Sequence, residues 1–107
     1  MAARSIKYAG LVLGALVAGA PAAASTDAAW AASARAGRAA CIAAANFARP
    51  SVSAPLSFSD RTGRDAILVR GMYKQRFMKN AWGTMLCLYD RRTRRAEAVE
   101  AKGWAAR

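Results

Sequence analysis

The chain has 107 residues and a formal net charge of +11, from 17 Lys and Arg against 6 Asp and Glu. A chain of this length fits one small domain and is too short for a TIM barrel or an ordinary dinucleotide-binding fold. It has no histidine and only 2 cysteines, which excludes a Ser-His-Asp triad, a Cys-His dyad, an imidazole metal site and a zinc site built from cysteines alone.

Residues 1–24 have the layout of a secretory signal peptide. Two basic residues, Arg4 and Lys7, precede an uncharged apolar run, and a small-x-small cleavage site ends at Ala24. The alternative is an uncleaved membrane anchor, but the run is shorter than the roughly 20 apolar residues of a spanning helix and is rich in Ala and Gly. We therefore expect cleavage, a periplasmic or secreted protein, and one small exported domain over residues 25–107.

An alanine-rich segment predicts a helix over residues 27–47 at the start of this domain. Alanine is the strongest helix former, and Thr26 offers a capping hydroxyl just before the segment. The segment ends before Pro50, because the residue preceding a proline avoids helical geometry. Helical spacing places one set of small and apolar residues on a common face: Trp30, Ala34, Gly37, Cys41 and Ala45.

The rest of the chain predicts an antiparallel meander of three to four strands. Alternating apolar residues and turn signals place these strands at about residues 51–58, 65–74, 84–89 and 95–101. Helix and meander together predict an α+β fold in which the helix covers one side of the sheet. The other side, with Leu68, Leu86 and Leu88, would be left partly uncovered unless a dimer partner or the tail at Trp104 packs on it.

Cys41 and Cys87 predict one disulfide between helix and sheet. Export leads to an oxidising compartment, and two cysteines allow a single intramolecular pairing. Closing so long a loop stabilises a small domain by about 4 kcal/mol in the chain-entropy model. A redox-active pair is the alternative, but such pairs usually have Cys-x-x-Cys spacing.

Residues suited to catalysis or metal binding are scarce. The serines between residues 51 and 59 cannot be activated by a histidine base, because the chain has none, and they form no Ser-x-x-Lys or Gly-x-Ser-x-Gly motif. The acidic residues do not have calcium-loop spacing, and the isolated glycines form no phosphate loop. We therefore expect a protein that is not an enzyme and holds no metal or other cofactor.

The first candidate binding feature is a run of arginines at the turn before the last strand. Arginine presents a planar set of donors that suits phosphate, sulfate and carboxylate groups. The alternative is an ordinary solvated turn, which is what most charge runs are. The predicted anion-contact residues here are Arg91, Arg92, Arg94 and Arg95.

The second candidate is a segment between the two strongest predicted strands. Lys74, Arg76 and Lys79 alternate there with Phe77 and Trp82. Such a loop can stack its aromatic rings on a ligand while its cations meet phosphate. The alternative is that both rings fold back against the sheet as a small apolar cluster.

Two classes of binding function follow from these features. The first is contact with polyanions or with an anionic membrane surface through the basic residues, which salt would weaken. The second is a protein–protein module, such as an inhibitor or accessory subunit of another envelope protein, anchored by the loop aromatics. A homodimer is a further option, and a small-molecule pocket between helix and sheet ranks last.

Overall fold

The first element of the domain is a helix, α1, over Asp27–Ala45. The structure is a computed structural model that describes residues 26–104, so the predicted signal peptide lies outside the described residues. The Thr26 hydroxyl accepts a hydrogen bond from the backbone N–H of Ala29 and caps the first turn. Asn46 has a left-handed backbone (φ 55°) and ends the helix before the predicted end at residue 47.

Five antiparallel strands form one sheet behind the helix. They are β1 (Ala48–Val52), β2 (Leu56–Ser57), β3 (Arg64–Met72), β4 (Trp82–Asp90) and β5 (Ala96–Glu100). The order is β1-β3-β4-β5, and β2 pairs with β3 beyond the end of β1. A short 3-10 helix, Arg76–Met78, lies between β3 and β4. The α+β class and the packing of one helix on an antiparallel sheet are confirmed.

The strand predicted over residues 51–58 is two short strands. Val52 lies opposite Val69 and Leu56 opposite Ala66, so the outer chain has one more residue than β3 between these pairs. Pro55 falls in this interruption and has no N–H to donate to a neighbouring strand. The edge of the sheet is therefore irregular, and the strand count rises to five.

The core lies between α1 and the inner face of the sheet. Cys41 and Cys87 form the predicted disulfide, with their Cα atoms 5.8 Å apart. Ile67 and Val69 of β3 are fully buried beside it. Gly71 permits a close approach at one end of the core, because a Cβ atom there would lie 2.4 Å from the Cβ of Phe47. The confirmed disulfide thus joins the two layers through the middle of the core.

Within residues 26–104, no helix has the length and apolar character needed to cross a bilayer.

Candidate functional site

The sheet face turned away from α1 is apolar at its centre, and we call it the outer face. An antiparallel sheet with one solvated side normally presents polar residues there. Here large apolar side chains are 41% to 72% exposed: Leu56, Phe58, Leu68, Leu88, Val99 and Trp104. A contiguous exposed apolar patch makes this face a candidate interaction surface.

The strand register explains why these side chains lie together. Residues directly opposite each other on neighbouring strands point to the same face. Leu68 pairs with Leu86, which pairs with Val99. One step along the sheet, Ala66 lies between Leu56 and Leu88. The alternation that buries Ile67 and Cys87 on the inner face therefore exposes their neighbours in the chain.

An open groove of about 740 Å³ lies on the outer face. Its floor comes from β3 and β4, and its lining includes the β2 residue Leu56 together with Phe58 and Trp104. The turn after β5, in which the Trp104 N–H donates to the carbonyl of Ala101, carries this indole to the groove. Ligand sites commonly have volumes of about 300–1,000 Å³ and mostly apolar linings. The groove meets both conditions.

Charged residues flank the apolar centre at both ends. At the end formed by the β4–β5 turn, Arg64 and Asp90 form an ion pair of 3.7 Å. At the other end, the guanidinium carbon of Arg70 lies 5.5 Å from the centre of the Trp82 ring. Lys102 lines the same cleft as these two residues. The outer face is therefore apolar in the middle and charged toward its ends.

Glu100 also lines the cleft that contains Arg70. Its Oε1 accepts a hydrogen bond of 2.9 Å from the Tyr73 hydroxyl. Burial raises the pKa of Tyr73, and the hydrogen bond to Glu100 and the negative charge of Glu100 raise it further. The carboxylate of Glu100 is thus hydrogen-bonded to an uncharged phenol, that of Tyr73, which directly follows β3.

Arg91, predicted as an anion-contact residue, is used inside the fold. Its guanidinium forms an ion pair with the buried carboxylate of Asp65 and donates to the carbonyl oxygens of Phe58 (3.0 Å) and Arg64 (3.1 Å). It also lies over the ring of Trp30, 5.5 Å from the ring centre. Only 13% of the Arg91 side chain is exposed. Arg91 therefore has a structural role, and its guanidinium is largely occupied by partners within the protein.

The other arginines of the turn, Arg92, Arg94 and Arg95, are exposed. Asp90 organises this turn, because its Oδ1 accepts hydrogen bonds from the backbone N–H groups of Arg92 (2.8 Å) and Thr93 (3.2 Å). Those backbone hydrogen bonds, the one from Thr93 foremost, lower the pKa of Asp90. The sequence run therefore contains one structural arginine followed by three solvated ones.

The second candidate segment joins β3 to β4. Phe77 is 77% exposed, whereas Trp82 is the first residue of β4 rather than a loop residue and is 49% exposed. The Nζ of Lys74 donates to Oδ1 of Asn46 at the end of α1. The other two predicted contacts, Arg76 and Lys79, are exposed. Neither aromatic ring is buried against the sheet.

The two basic segments lie at opposite ends of β4. This strand has nine residues, so its eight steps of roughly 3.4 Å place its ends about 27 Å apart. A single small ligand cannot touch both segments. An extended surface can, and the apolar outer face lies between them.

The sequence pattern pointed to part of the outer face. The alternation in β3 and β4 placed Leu68, Leu86 and Leu88 on it before the strand register was known. It gave no indication of Arg70 as a functional candidate, although Arg70 is two residues after Leu68 in β3 and therefore points to the same face. Phe58 was also missed, because the path of the chain after β2 was not predictable.

The chain matches no protein-family model, no curated protein and no solved structure. Among the described residues, no group of three or more His, Cys, Asp and Glu is placed to hold a metal ion.

Proposed function

We propose that the protein is an exported, non-enzymatic binding domain that attaches to membrane surfaces containing anionic lipids. The observation that carries this proposal is the cluster of exposed apolar side chains on the outer face. Without residues 1–24 the domain keeps 15 Lys and Arg against 6 Asp and Glu, a net charge of +9. An apolar face attracts any apolar partner, whereas the charge selects an anionic one. An anionic bilayer surface offers both properties in a single partner.

Electrostatic attraction and apolar burial act at different distances from the membrane. Each Lys or Arg near an anionic leaflet contributes about 1 kcal/mol of attraction, which is screened beyond a Debye length. Burial of apolar surface adds roughly 25 cal/mol per Å² once contact is made. Trp104 on the outer face is an amphipathic aromatic residue of the type that settles at a membrane interface, and Phe58 adds an apolar ring beside it.

The exposed cations of the two predicted segments serve as the long-range part of this attachment. Arg92, Arg94 and Arg95 lie at one end of β4, and Arg76 and Lys79 lie near the other. Because they are solvated, they can approach head groups without the cost of burying a charge. Phe77 adds an exposed ring beside the second group.

Export is the second part of the proposal. It is supported by the signal-peptide pattern of residues 1–24 and by the disulfide between Cys41 and Cys87, which is compatible with an oxidising compartment. The non-enzymatic part is supported by the composition, which lacks histidine. Together these features favour a role in the envelope that depends on contact rather than on chemistry.

A protein partner on the same face is the competing function. The apolar side chains of the outer face suit it equally well. The high positive charge favours the membrane, because it provides a sequence-independent attraction to lipid head groups that a discrete protein interface does not require. The two functions differ in their response to salt.

The test is co-sedimentation of the oxidised, exported protein with lipid vesicles. We expect binding to vesicles of phosphatidylcholine mixed with phosphatidylglycerol, weaker binding to phosphatidylcholine alone, and loss of binding as salt rises. The double variant Leu68→Ser/Leu88→Ser, on the outer face, should bind more weakly than wild type at each salt concentration at which the wild type still binds. Its matched control is Arg35→Gln/Arg38→Gln on the exposed side of α1, which should retain most of the binding.

Two results would overturn the proposal. One is the absence of sedimentation with either kind of vesicle. The other is a stoichiometric complex with an envelope protein that survives high salt and is lost in Leu68→Ser/Leu88→Ser, which would assign the outer face to a protein partner instead.

A further inference from the structure

The two ends of the outer-face groove differ in the charge they leave unpaired. At the β4–β5 end, Arg64 is paired with Asp90, and Glu97 lines the same depression as Arg95. At the opposite end, Arg70 and Lys102 have no acidic side chain of the described residues within 4 Å. Glu100 lines the same cleft and accepts a hydrogen bond from the Tyr73 hydroxyl. The exposed Arg92 and Arg94 belong to the β4–β5 turn, beyond the end of the sheet. On the sheet face itself, the cations without an acidic partner are therefore Arg70 and Lys102.

We propose that the groove binds one acyl chain of an anionic phospholipid in a fixed orientation, with the phosphate at Arg70 and Lys102. This inference rests on the proposed membrane attachment and makes it specific, because it assigns a site, a ligand class and a direction. The chain lies along β3 and β4 over Leu68 and Leu88. Its far end points toward the neutralised pair of Arg64 and Asp90.

The head-group end has the side chains that phosphate recognition needs. Arg70 presents a planar guanidinium that can donate two parallel hydrogen bonds to a phosphate. The Trp82 ring lies 5.5 Å from its guanidinium carbon and limits the directions in which it can swing. Thr84 lies opposite Arg70 in the strand register and lines the cleft with Lys102. The cleft thus combines two cations with a hydroxyl.

The apolar part of the groove has suitable dimensions for one chain. From Arg70 to Arg64, β3 extends for six residue steps, which is about 20 Å. Leu56, Ala66 and Leu88 form one row across β2, β3 and β4. The small Ala66 side chain in the middle of this row leaves a depression between the two leucines. The groove volume of about 740 Å³ is that of a small-ligand site rather than of a protein interface.

The experiment is calorimetric titration with lysophosphatidylglycerol below its critical micelle concentration, so that the ligand is a single molecule and not a surface. We expect one lipid per protein. Arg70→Gln should weaken binding about tenfold or more, as expected for the loss of charge-assisted hydrogen bonds to a phosphate. Arg64→Gln removes the same charge from the other end of the same strand and face, and it should change the affinity less than about threefold.

Lysophosphatidylcholine, which has the same chain with a zwitterionic head group, is the matched ligand. It should bind more weakly than lysophosphatidylglycerol, and the difference should shrink in Arg70→Gln. Circular dichroism of both arginine variants checks that they fold like wild type. A lipid brominated in its acyl chain supplies a second measurement, since it should quench the fluorescence of Trp104 in the variant Trp30→Phe/Trp82→Phe, which keeps Trp104 as its single tryptophan.

The outcomes separate this inference from the proposed function. Binding to anionic vesicles without one-to-one binding of lysophosphatidylglycerol would overturn the chain site and leave membrane attachment standing. A larger loss in Arg64→Gln than in Arg70→Gln would overturn the orientation. Failure to bind both vesicles and the single lipid would overturn membrane attachment itself.

Discussion

Asp65 and Arg91 form an ion pair that is almost completely shielded from water, with 2% and 13% of their side chains exposed. Asp65 belongs to β3, and Arg91 is the first residue after β4, so the pair ties the start of one central strand to the end of the next. The same guanidinium donates a hydrogen bond to the carbonyl oxygen of Phe58 and lies over the ring of Trp30. One side chain thus connects the sheet, the segment after β2 and the beginning of α1.

Arg91→Gln should therefore be strongly destabilising. Removing one partner of a buried ion pair leaves the other charge uncompensated and costs about 3–5 kcal/mol. The matched control is Arg92→Gln, the adjacent exposed arginine, which should change the free energy of unfolding by less than about 0.5 kcal/mol. Urea denaturation followed by circular dichroism measures both.

Equal stabilities of these two variants would show that the Asp65–Arg91 pair is not structural. If Arg91→Gln does not fold, Arg91→Lys keeps the charge but loses the planar set of donors. Arg91→Lys should then fold but have a lower free energy of unfolding than wild type. A value equal to that of wild type would count against a structural role for the Asp65–Arg91 pair.

The disulfide between Cys41 and Cys87 supplies a second prediction about stability. The two residues are separated by 46 positions, and a crosslink over such a loop contributes about 4 kcal/mol by restricting the unfolded chain. Cys41→Ala/Cys87→Ala should lower the unfolding free energy by roughly that amount. Thermal denaturation with and without reductant provides the check.

The reductant should lower the melting temperature of the wild-type protein and leave that of the double variant unchanged. A wild-type protein that melts at the same temperature in both conditions would mean that the crosslink does not stabilise the fold.

The disulfide and the inner core were predictable because they follow from periodicity and from a unique pairing. Helical spacing aligned Gly37, Cys41 and Ala45, and these are the buried residues of α1. Alternation in β4 placed Cys87 and Tyr89 on the same side, where both are buried. Local pattern was sufficient in these cases because Cys41 and Cys87 can pair only with each other, which brings the stripe of α1 onto the sheet face that carries Cys87.

The role of Arg91 was not predictable in the same way. In the sequence it is one of four arginines within five positions, and nothing local distinguishes it from Arg92. Its burial depends on Asp65, which is 26 positions away, and on the path of the chain after β2. Such a contact is fixed by tertiary structure. The local sequence therefore does not distinguish Arg91 from the exposed arginines that follow it.

Asp90 makes the stability of the β4–β5 turn depend on pH. Hydrogen bonds from the N–H groups of Thr93 and Arg92 hold the pKa of Asp90 below its usual value of 3.8. A carboxylate with a lowered pKa in the folded state stabilises the fold above its unfolded pKa, and this contribution is lost as pH falls through the folded pKa. Wild type should thus lose its advantage over Asp90→Asn on acidification below pH 3.8.

Denaturation curves of the wild-type protein and Asp90→Asn across this range measure the effect. The asparagine side chain still offers an oxygen to the turn but does not titrate, so it isolates the contribution of the charge. A difference between the two proteins that stays constant with pH would contradict the role of Asp90.

The exposed arginines of the turn predict a graded change in membrane affinity. Arg92→Gln/Arg94→Gln/Arg95→Gln removes three cations near one end of the outer face. At about 1 kcal/mol per charge close to an anionic surface, the triple variant should bind phosphatidylglycerol vesicles at least tenfold more weakly at low salt. The effect should fade as salt rises, because screening removes the same attraction in the wild-type protein. Vesicle co-sedimentation at several salt concentrations measures this, and a loss that is independent of salt would mean that the arginines make specific contacts instead of supplying attraction at a distance.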